Sequence, residues 1–255
     1  MKAIMSRNYP KSSDTPPSNR SWYGTVIACT LMLAWVVHAW YSLEWGAIGL
    51  SSPMMYVHIA LQSYLSTGLF ITAHDAMHGT VMRSNKGNRI IGTIACFLFA
   101  GMSFRRLQKN HWAHHLHPAD AEDPDYYPTN NFFVWFAVFM FRYTTISQLI
   151  IMACLFNVLL LRYHEVQVWL YWALPSLFGA LQLFYFGTYR PHRAPHTQEM
   201  GKHKARTLQK NHLWAMLSCY FFGYHLEHHA SPSTPWWQLY RIKNMNQNSR
   251  TPLSS

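Results

Sequence analysis

The sequence predicts an all-α integral membrane protein with about four transmembrane helices and a histidine-rich region at one membrane face. Three observations predict it. Half of the 255 residues are hydrophobic and only 12% are charged. Four apolar windows, residues 22–41, 53–73, 144–161 and 168–188, are at or near the roughly 20 helical residues that cross a bilayer core. Fourteen of the 16 histidines lie outside these windows, most of them just beyond an end; His38 and His58 lie within.

Residues 1–21 are polar, with Pro16 and Pro17 side by side, and read as a disordered tail. The first window, 22–41, is nearly uncharged and too long for a signal peptide, so it reads as an uncleaved span. The second, 53–73, is uncharged apart from His58. A shorter apolar run, 90–104, is interrupted by Gly92 and Gly101 and reads as a re-entrant or interfacial helix. The aromatic stretch 132–141 reads as interfacial. The windows 144–161 and 168–188 contain no charged residue. Residues 22–240 thus form one membrane domain, and 241–255 a C-terminal tail.

Charge sets the expected orientation. Four spans place both termini and every histidine-rich segment on one side. That side holds Lys2, Arg7, Lys11 and Arg20, then Arg83 through Arg142, then Arg190 through Arg250. The other side keeps Arg162, one of 21 Lys and Arg residues, so the populated side is expected to be cytoplasmic. The net charge of +11 suits anionic headgroups and acidic partners. No nucleic-acid recognition motif accompanies it. Cys29, Cys96, Cys154 and Cys219 all lie in apolar stretches without a CxxC pair, which predicts neither a disulfide nor a thiolate metal site.

Three histidine clusters carry the chemistry. "AHDAMHGT" holds His74 and His78; "NHWAHHLHP" holds His111, His114, His115 and His117; "YHLEHHASP" holds His225, His228 and His229. The second and third share HxxHH. Positions i, i+3 and i+4 fall on one helix face, so each box directs its imidazoles together. A lone interfacial histidine is ordinarily just an amphipathic residue; eight in three spaced boxes on one side are not explained that way. Neutral imidazole binds iron, zinc, copper and nickel. One metal rarely takes eight protein ligands, so two metals are the natural count. The HExxH zinc signature, the Glu-x-x-His pattern of di-iron bundles and thiolate ligands for an iron–sulfur cluster are all missing.

HxxxH, HxxHH and HxxHH on a four-span frame resemble the membrane fatty-acid desaturase and hydroxylase superfamily. The fuller words "ITAHDAMHGTV", "FGTYRPHR" and "FFGYHLEHHASPSTPWWQLY" resemble the bacterial-type β-carotene ketolases, over residues 22–240. The resemblance implies a non-haem di-iron oxygenase that uses two Fe2+ ions, O2 and electrons from a ferredoxin-type donor. It implies a carotenoid substrate drawn from the bilayer, oxidised at ring carbon C4, in a bacterial plasma membrane. β-Carotene would give echinenone and then canthaxanthin; a 3-hydroxylated ring would lead toward astaxanthin. The C4 hydrogens are allylic to the polyene, so two successive hydroxylations there give a geminal diol that loses water to the ketone.

The expected ligands are His74, His78, His111, His114, His115, His225, His228 and His229. His192 in "GTYRPHR" is the expected ninth, with His196 its rival. Asp75 and Glu227 are expected to accept the second N–H of a ligating ring. His117, two residues past its box and beside Pro118, is expected to support the ligands. Asp120, Asp123 and Asp125 sit in a Pro-bounded acidic loop whose ordinary reading is a solvated one. Asn110 and Asn211 are further candidates for orienting ligands. His38, His58 and His164 read as structural, the stretch of Lys202, Lys204, Arg206 and Lys210 as a lipid-facing or partner-docking loop, and Trp236 and Trp237 as an interfacial anchor. A fatty-acyl desaturase or hydroxylase, or a carotenoid hydroxylase, shares the same ligand set. A membrane metal transporter would need ionisable residues at mid-span, where this sequence has almost none.

Overall fold

The computed structural model describes residues 22–248, which are helices and connecting loops with no strand among them. The polar tail expected at 1–21 and residues 249–255 lie outside the described residues. Helix α1 spans Tyr23–Trp45, α2 Pro53–Met77, α3 Asn85–Ala100, α4 Phe104–Leu116, α5 Phe132–Tyr143 and α6 Ile146–Leu160. A continuous helix α7 follows over Glu165–His192. Short helices α8 (His212–Cys219), α9 (His225–Ala230) and α10 (Leu239–Asn248) complete the fold. Residues 241–248, expected as tail, thus belong to α10, and Lys243 in that segment is buried.

Two helices, α1 and α7, are long and apolar enough to cross a membrane by length and composition. Two bent pairs pass the same test jointly: α3 with α4, bent by 98°, and α5 with α6, bent by 89°. Counting each pair as one span gives up to four crossings. The third expected span is therefore only half of such a pair, because α6 has 15 residues. The run at 90–104 breaks where the glycine spacing predicts. Gly101 ends α3 at φ +63°, a conformation that needs no Cβ, and Ser103 starts α4 by accepting the Arg106 N–H.

Helix α2 has 25 residues, about 37 Å at 1.5 Å per residue, yet is too polar to qualify as a span by itself. The physical reason is its position. It packs against α1, α3 and α7 together, so Gln62, Ser63, Ser66 and Thr67 are turned inward. Each is satisfied there, as an apolar surround requires. The Trp35 indole N–H donates to Ser66 Oγ at 2.9 Å, and Thr67 donates to the Ser63 carbonyl at 3.1 Å. His38 pairs with Gln62 at 2.6 Å and with His58 at 3.0 Å, bracing α1 on α2 as the structural reading expects. The outward faces are the opposite in character. No residue of α6 is buried, and Leu149, Ile150, Val158 on α6, Leu33 and Val37 on α1, and Leu177 on α7 are exposed, a belt suited to lipid.

Helix α7 is longer than its apolar window and contains two π-helical turns, Trp169–Ala173 and Phe184–Tyr189. The second π turn carries Gly187, where an added Cβ would lie 2.1 Å from the Phe222 ring. Phe222 in turn packs on His74 and His225, with centroids 5.0 and 5.5 Å away. Gly187→Ala is therefore expected to lower stability by about 1–3 kcal/mol through overpacking, read as a fall in melting temperature of the detergent-purified protein. Trp236, expected at an interface, is buried against Tyr220 instead, because its backbone N–H is held by Asp75 Oδ2 at 3.1 Å.

Candidate metal centre

Four elements deliver the imidazoles. The last turn of α2 provides His74, and His78 caps that helix. α4 provides His111, His114 and His115; α9 provides His225, His228 and His229; the last turn of α7 provides His192. All nine expected ligands meet, and they meet as two groups. Ligand atoms of His74, His78, His111 and His228 lie within 4.8 Å of one another, as do those of His114, His192, His225 and His229. His115 joins the first group, its Nε2 being 2.9 Å from His228 Nε2 and 3.1 Å from His111 Nε2.

Each HxxHH box is divided between the groups. On α4, His111 and His115 (i, i+4) face the first group and His114 faces the second. On α9 the division is reversed: His225 and His229 face the second group and His228 the first. One box thus contributes two rings to one group and a single ring to the other. This reciprocal split makes two groups from helices that each look one-faced in sequence.

The donor chemistry fits metal ions. His228 Nε2 touches the Nε2 atoms of both His74 and His115, at 3.1 and 2.9 Å. His229 Nε2 touches those of His114 and His225, at 3.0 and 3.1 Å. His78 Nε2 and His111 Nε2 stand 2.6 Å apart. A neutral imidazole nitrogen either donates one hydrogen or accepts one. Such mutual Nε2 contacts leave lone pairs facing each other without enough hydrogens between them. His192 Nε2 is buried with no partner at all. Nitrogen atoms gathered in this way are what a cation on each group would satisfy.

The outer contacts fix several rings. His114 Nδ1 lies 2.9 and 3.0 Å from the two oxygens of Asp123, which also accepts the backbone N–H groups of Ala119 and Asp125. His192 Nδ1–H donates to the Lys204 carbonyl at 2.9 Å. Both rings therefore present Nε2 to the second group. Asp75 Oδ1 is 3.5 Å from His74 Nδ1, beside it as expected but not hydrogen-bonded to it. Glu227 is buried, but among the described residues it bonds no site histidine; its charge acts on Lys243 and Tyr224. His117 is not brought to the cluster. α4 ends at Leu116, and the non-helical backbone of His117 (φ −128°, ψ 48°) turns its ring toward Glu122 at 3.3 Å. His196 loses its rivalry with His192, because it binds the His192 carbonyl at 2.8 Å. Asn211 caps α8.

Sequence reasoning missed Asp123 and Lys204 as anchors. The acidic loop reads as solvated, yet Asp123 is buried; the signal was its place nine residues after His114, beyond a Pro118 turn. Lys204 acts through its carbonyl, which leaves no trace in residue type.

Electrostatics separate His114 from its neighbours. Burial would push it down, but the Asp123 and Asp125 carboxylates outweigh burial and raise it to about 9. His111, His115, His225, His228 and His229 are held well below the usual histidine range, first by burial and then by one another. These five stay neutral at neutral pH, with lone pairs available. The metal-free folded protein thus takes up fewer protons than the unfolded chain below the ordinary histidine value of about 6.5. Its stability is expected to fall as pH drops through that value. His78 and His192, also lowered first by burial, bring the lowered histidines of the cluster to seven; Asp125, raised to about 6 by burial, and His114, raised to about 9, oppose them with one proton each. Melting temperatures between pH 7.5 and 5 check the sign; a rise on acidification contradicts it.

Beside the histidines lies an apolar cavity of about 260 Å³. His74, His111, His114 and His225 form one end, and Phe99, Leu149, Met152 and Leu177, from the membrane-facing helices, form the rest. An all-α membrane frame holding two buried imidazole groups against an apolar cavity is the class of protein that fold and site define. The fatty acid desaturase family model matches residues 51–167 and 146–250. The chain is 37% identical to a zeaxanthin 4-ketolase of Chlamydomonas reinhardtii over 87% of its own length and 53% of that protein. It is 34% identical to a β-carotene 4-ketolase of Protosiphon botryoides, over 91% and 66%. It is 33% identical to a β-carotene ketolase of a Paracoccus species, over 88% and 93%. The chain thus spans about half the length of the first of these relatives and nearly all of the last. No solved structure matches it significantly. The chain belongs to the fatty acid desaturase family and, within it, to the β-carotene ketolases.

Proposed function

We propose that the protein is a carotenoid ketolase, converting the C4 methylene of a β-ionone ring to a ketone by two successive O2-dependent hydroxylations. The observation that carries this reading is the apolar cavity ending on two groups of imidazoles. A membrane-soluble polyene enters such a cavity from lipid. Similarity to ketolases over most of the chain supports the same reading.

In this reading two iron ions are the cofactor, held by His74, His78, His111, His115 and His228 and by His114, His192, His225 and His229. When bound they supply O2 activation. The protein's own work is orientation and exclusion. Asp123 and the Lys204 carbonyl fix His114 and His192, so that Nε2 faces inward. Phe70, Phe99, Leu183 and Phe222 keep water from the reacting carbon. The cavity walls place C4, the allylic carbon, against the histidine end. Positioning then decides between ketone and the desaturation that a neighbouring carbon would allow.

The reading also places both termini and the histidine groups on the cytoplasmic face of a bacterial plasma membrane, where a ferredoxin-type donor can deliver electrons. The excess of Lys and Arg on that side supports it. Expression in cells that accumulate β-carotene, followed by pigment analysis, tests the reaction. Echinenone or canthaxanthin is the expected product. Hydroxylated carotenoids without ketones, or unchanged β-carotene with the protein present and iron-loaded, would overturn it; the second result would favour acyl-chain chemistry.

A further inference from the structure

The outer face of α7 carries a second concavity, which shares no lining residue with the histidine cavity. An apolar groove of about 610 Å³ runs between α2 and α7, with Ile59 and Ala60 on one side and Phe178, Leu181, Tyr185 and Phe186 on the other. Ala60, Phe178 and Tyr185 are exposed, so the groove opens on the lipid-facing belt. Tyr185 also lines a polar pocket of about 460 Å³, and groove and pocket meet at that ring. The pocket lies where α7 ends. It gathers Arg190, Arg193 and Arg206 beside Tyr189.

Three cations in one pocket repel one another unless an anion joins them. No Asp or Glu lines this pocket, and among the described residues none of the three arginines forms an ion pair. Protein contacts orient two of them. Arg206 donates to the Arg193 carbonyl at 2.6 Å and to the Pro195 carbonyl. Arg193 stands over the Tyr189 ring, 5.5 Å from its centroid, and Tyr189 donates to the Asn130 carbonyl at 2.7 Å. Burial, and then the Arg193 charge, push the Arg206 guanidinium below its ordinary value, a cost that an anion relieves. A guanidinium carries five N–H donors in a planar fork that matches phosphate oxygens. We infer that this face binds an anionic phospholipid, its phosphate on Arg190, Arg193 and Arg206 and an acyl chain in the groove. A free phosphate uses the arginines alone and an uncharged lipid uses the groove alone; their junction at Tyr185 fits a molecule that has both parts. The site does not depend on which reaction the histidine centre performs. It does bear on that centre, because the Arg206 N–H donates to the Pro191 carbonyl at 3.1 Å and the same loop holds His192 through the Lys204 carbonyl.

The test uses the full chain, purified in detergent with its metal and stripped of lipid. It is then mixed with micelles carrying dioleoyl phosphatidylglycerol or dioleoyl phosphatidylcholine. Native mass spectrometry counts the lipid retained, and melting temperature reads its effect. A single phosphatidylglycerol is expected to be retained in preference to phosphatidylcholine and to raise the melting temperature. Arg190→Gln and Arg193→Gln are each expected to weaken its retention about fivefold, the contribution of one basic residue at a membrane surface. Ala60→Trp fills the groove from an exposed position and weakens retention with all three arginines in place; it reads the same site if an arginine variant folds poorly. Inorganic phosphate at equal concentration is expected not to displace the lipid. Equal retention of the two lipids overturns the inference, as does unchanged retention in the arginine variants or in Ala60→Trp. Displacement by inorganic phosphate overturns it too, and assigns the pocket to the free ion.

Discussion

His78→Ala is expected to abolish ketone formation while leaving the protein inserted in the membrane. His78 caps α2, and its ring lies within reach of His111, with Nε2 atoms 2.6 Å apart. Losing an outer partner of a metal ligand typically costs about 10–100-fold, so losing a ligand itself exceeds about 100-fold. The variant has a second signature. The first histidine group keeps His74, His111, His115 and His228, and the second group is untouched. Elemental analysis is therefore expected to show iron falling from two per chain toward one, not to zero. His225→Ala is the mirror experiment on the second group. His117→Ala, whose ring pairs with Glu122 outside the cluster, is the control and keeps full iron content. Full activity in His78→Ala refutes the ligand assignment.

Asp123→Asn is expected to lower activity and iron affinity by about 10–100-fold without unfolding the protein. Both carboxylate oxygens lie within 3.0 Å of His114 Nδ1, and the side chain is buried. The carboxylate engages Nδ1, so Nε2 is the nitrogen that a metal ion would take in place of its proton. An amide in the same place offers an N–H as readily as an oxygen, and so permits the wrong tautomer. It also removes the negative charge that raises His114 to about 9, leaving burial to act alone. Nuclear magnetic resonance of 15N-labelled histidine in the metal-free variant reads the tautomer directly. An unchanged Nδ1–H signal with wild-type iron content would show that Asp123 is a loop tie only.

The histidine clusters were legible because they depend on residue type at helical spacing. HxxxH and HxxHH place their rings on one face whatever the surroundings, and the apolar windows bring those faces to one membrane boundary. The acidic loop was not legible in the same way. Asp120 is exposed and Asp123 is buried in one short segment, and nothing in their residue type distinguishes them. Lys204 contributes a carbonyl, a group every residue has.

Sequence by itself determined the all-α membrane class, the nine histidines and their convergence, since these follow from periodicity and hydropathy. Tertiary structure alone decided how each HxxHH box is shared. His114 and His115 are chain neighbours, yet they face different groups, because α9 brings its pair of rings to the second group and its single ring to the first. It also decided which helices are long and apolar enough to cross. Polar residues of α2 are hidden by α1, α3 and α7, and the bends of 98° and 89° divide two further runs. Burial and crossing depend on partners distant in the chain, and local composition carries no record of them.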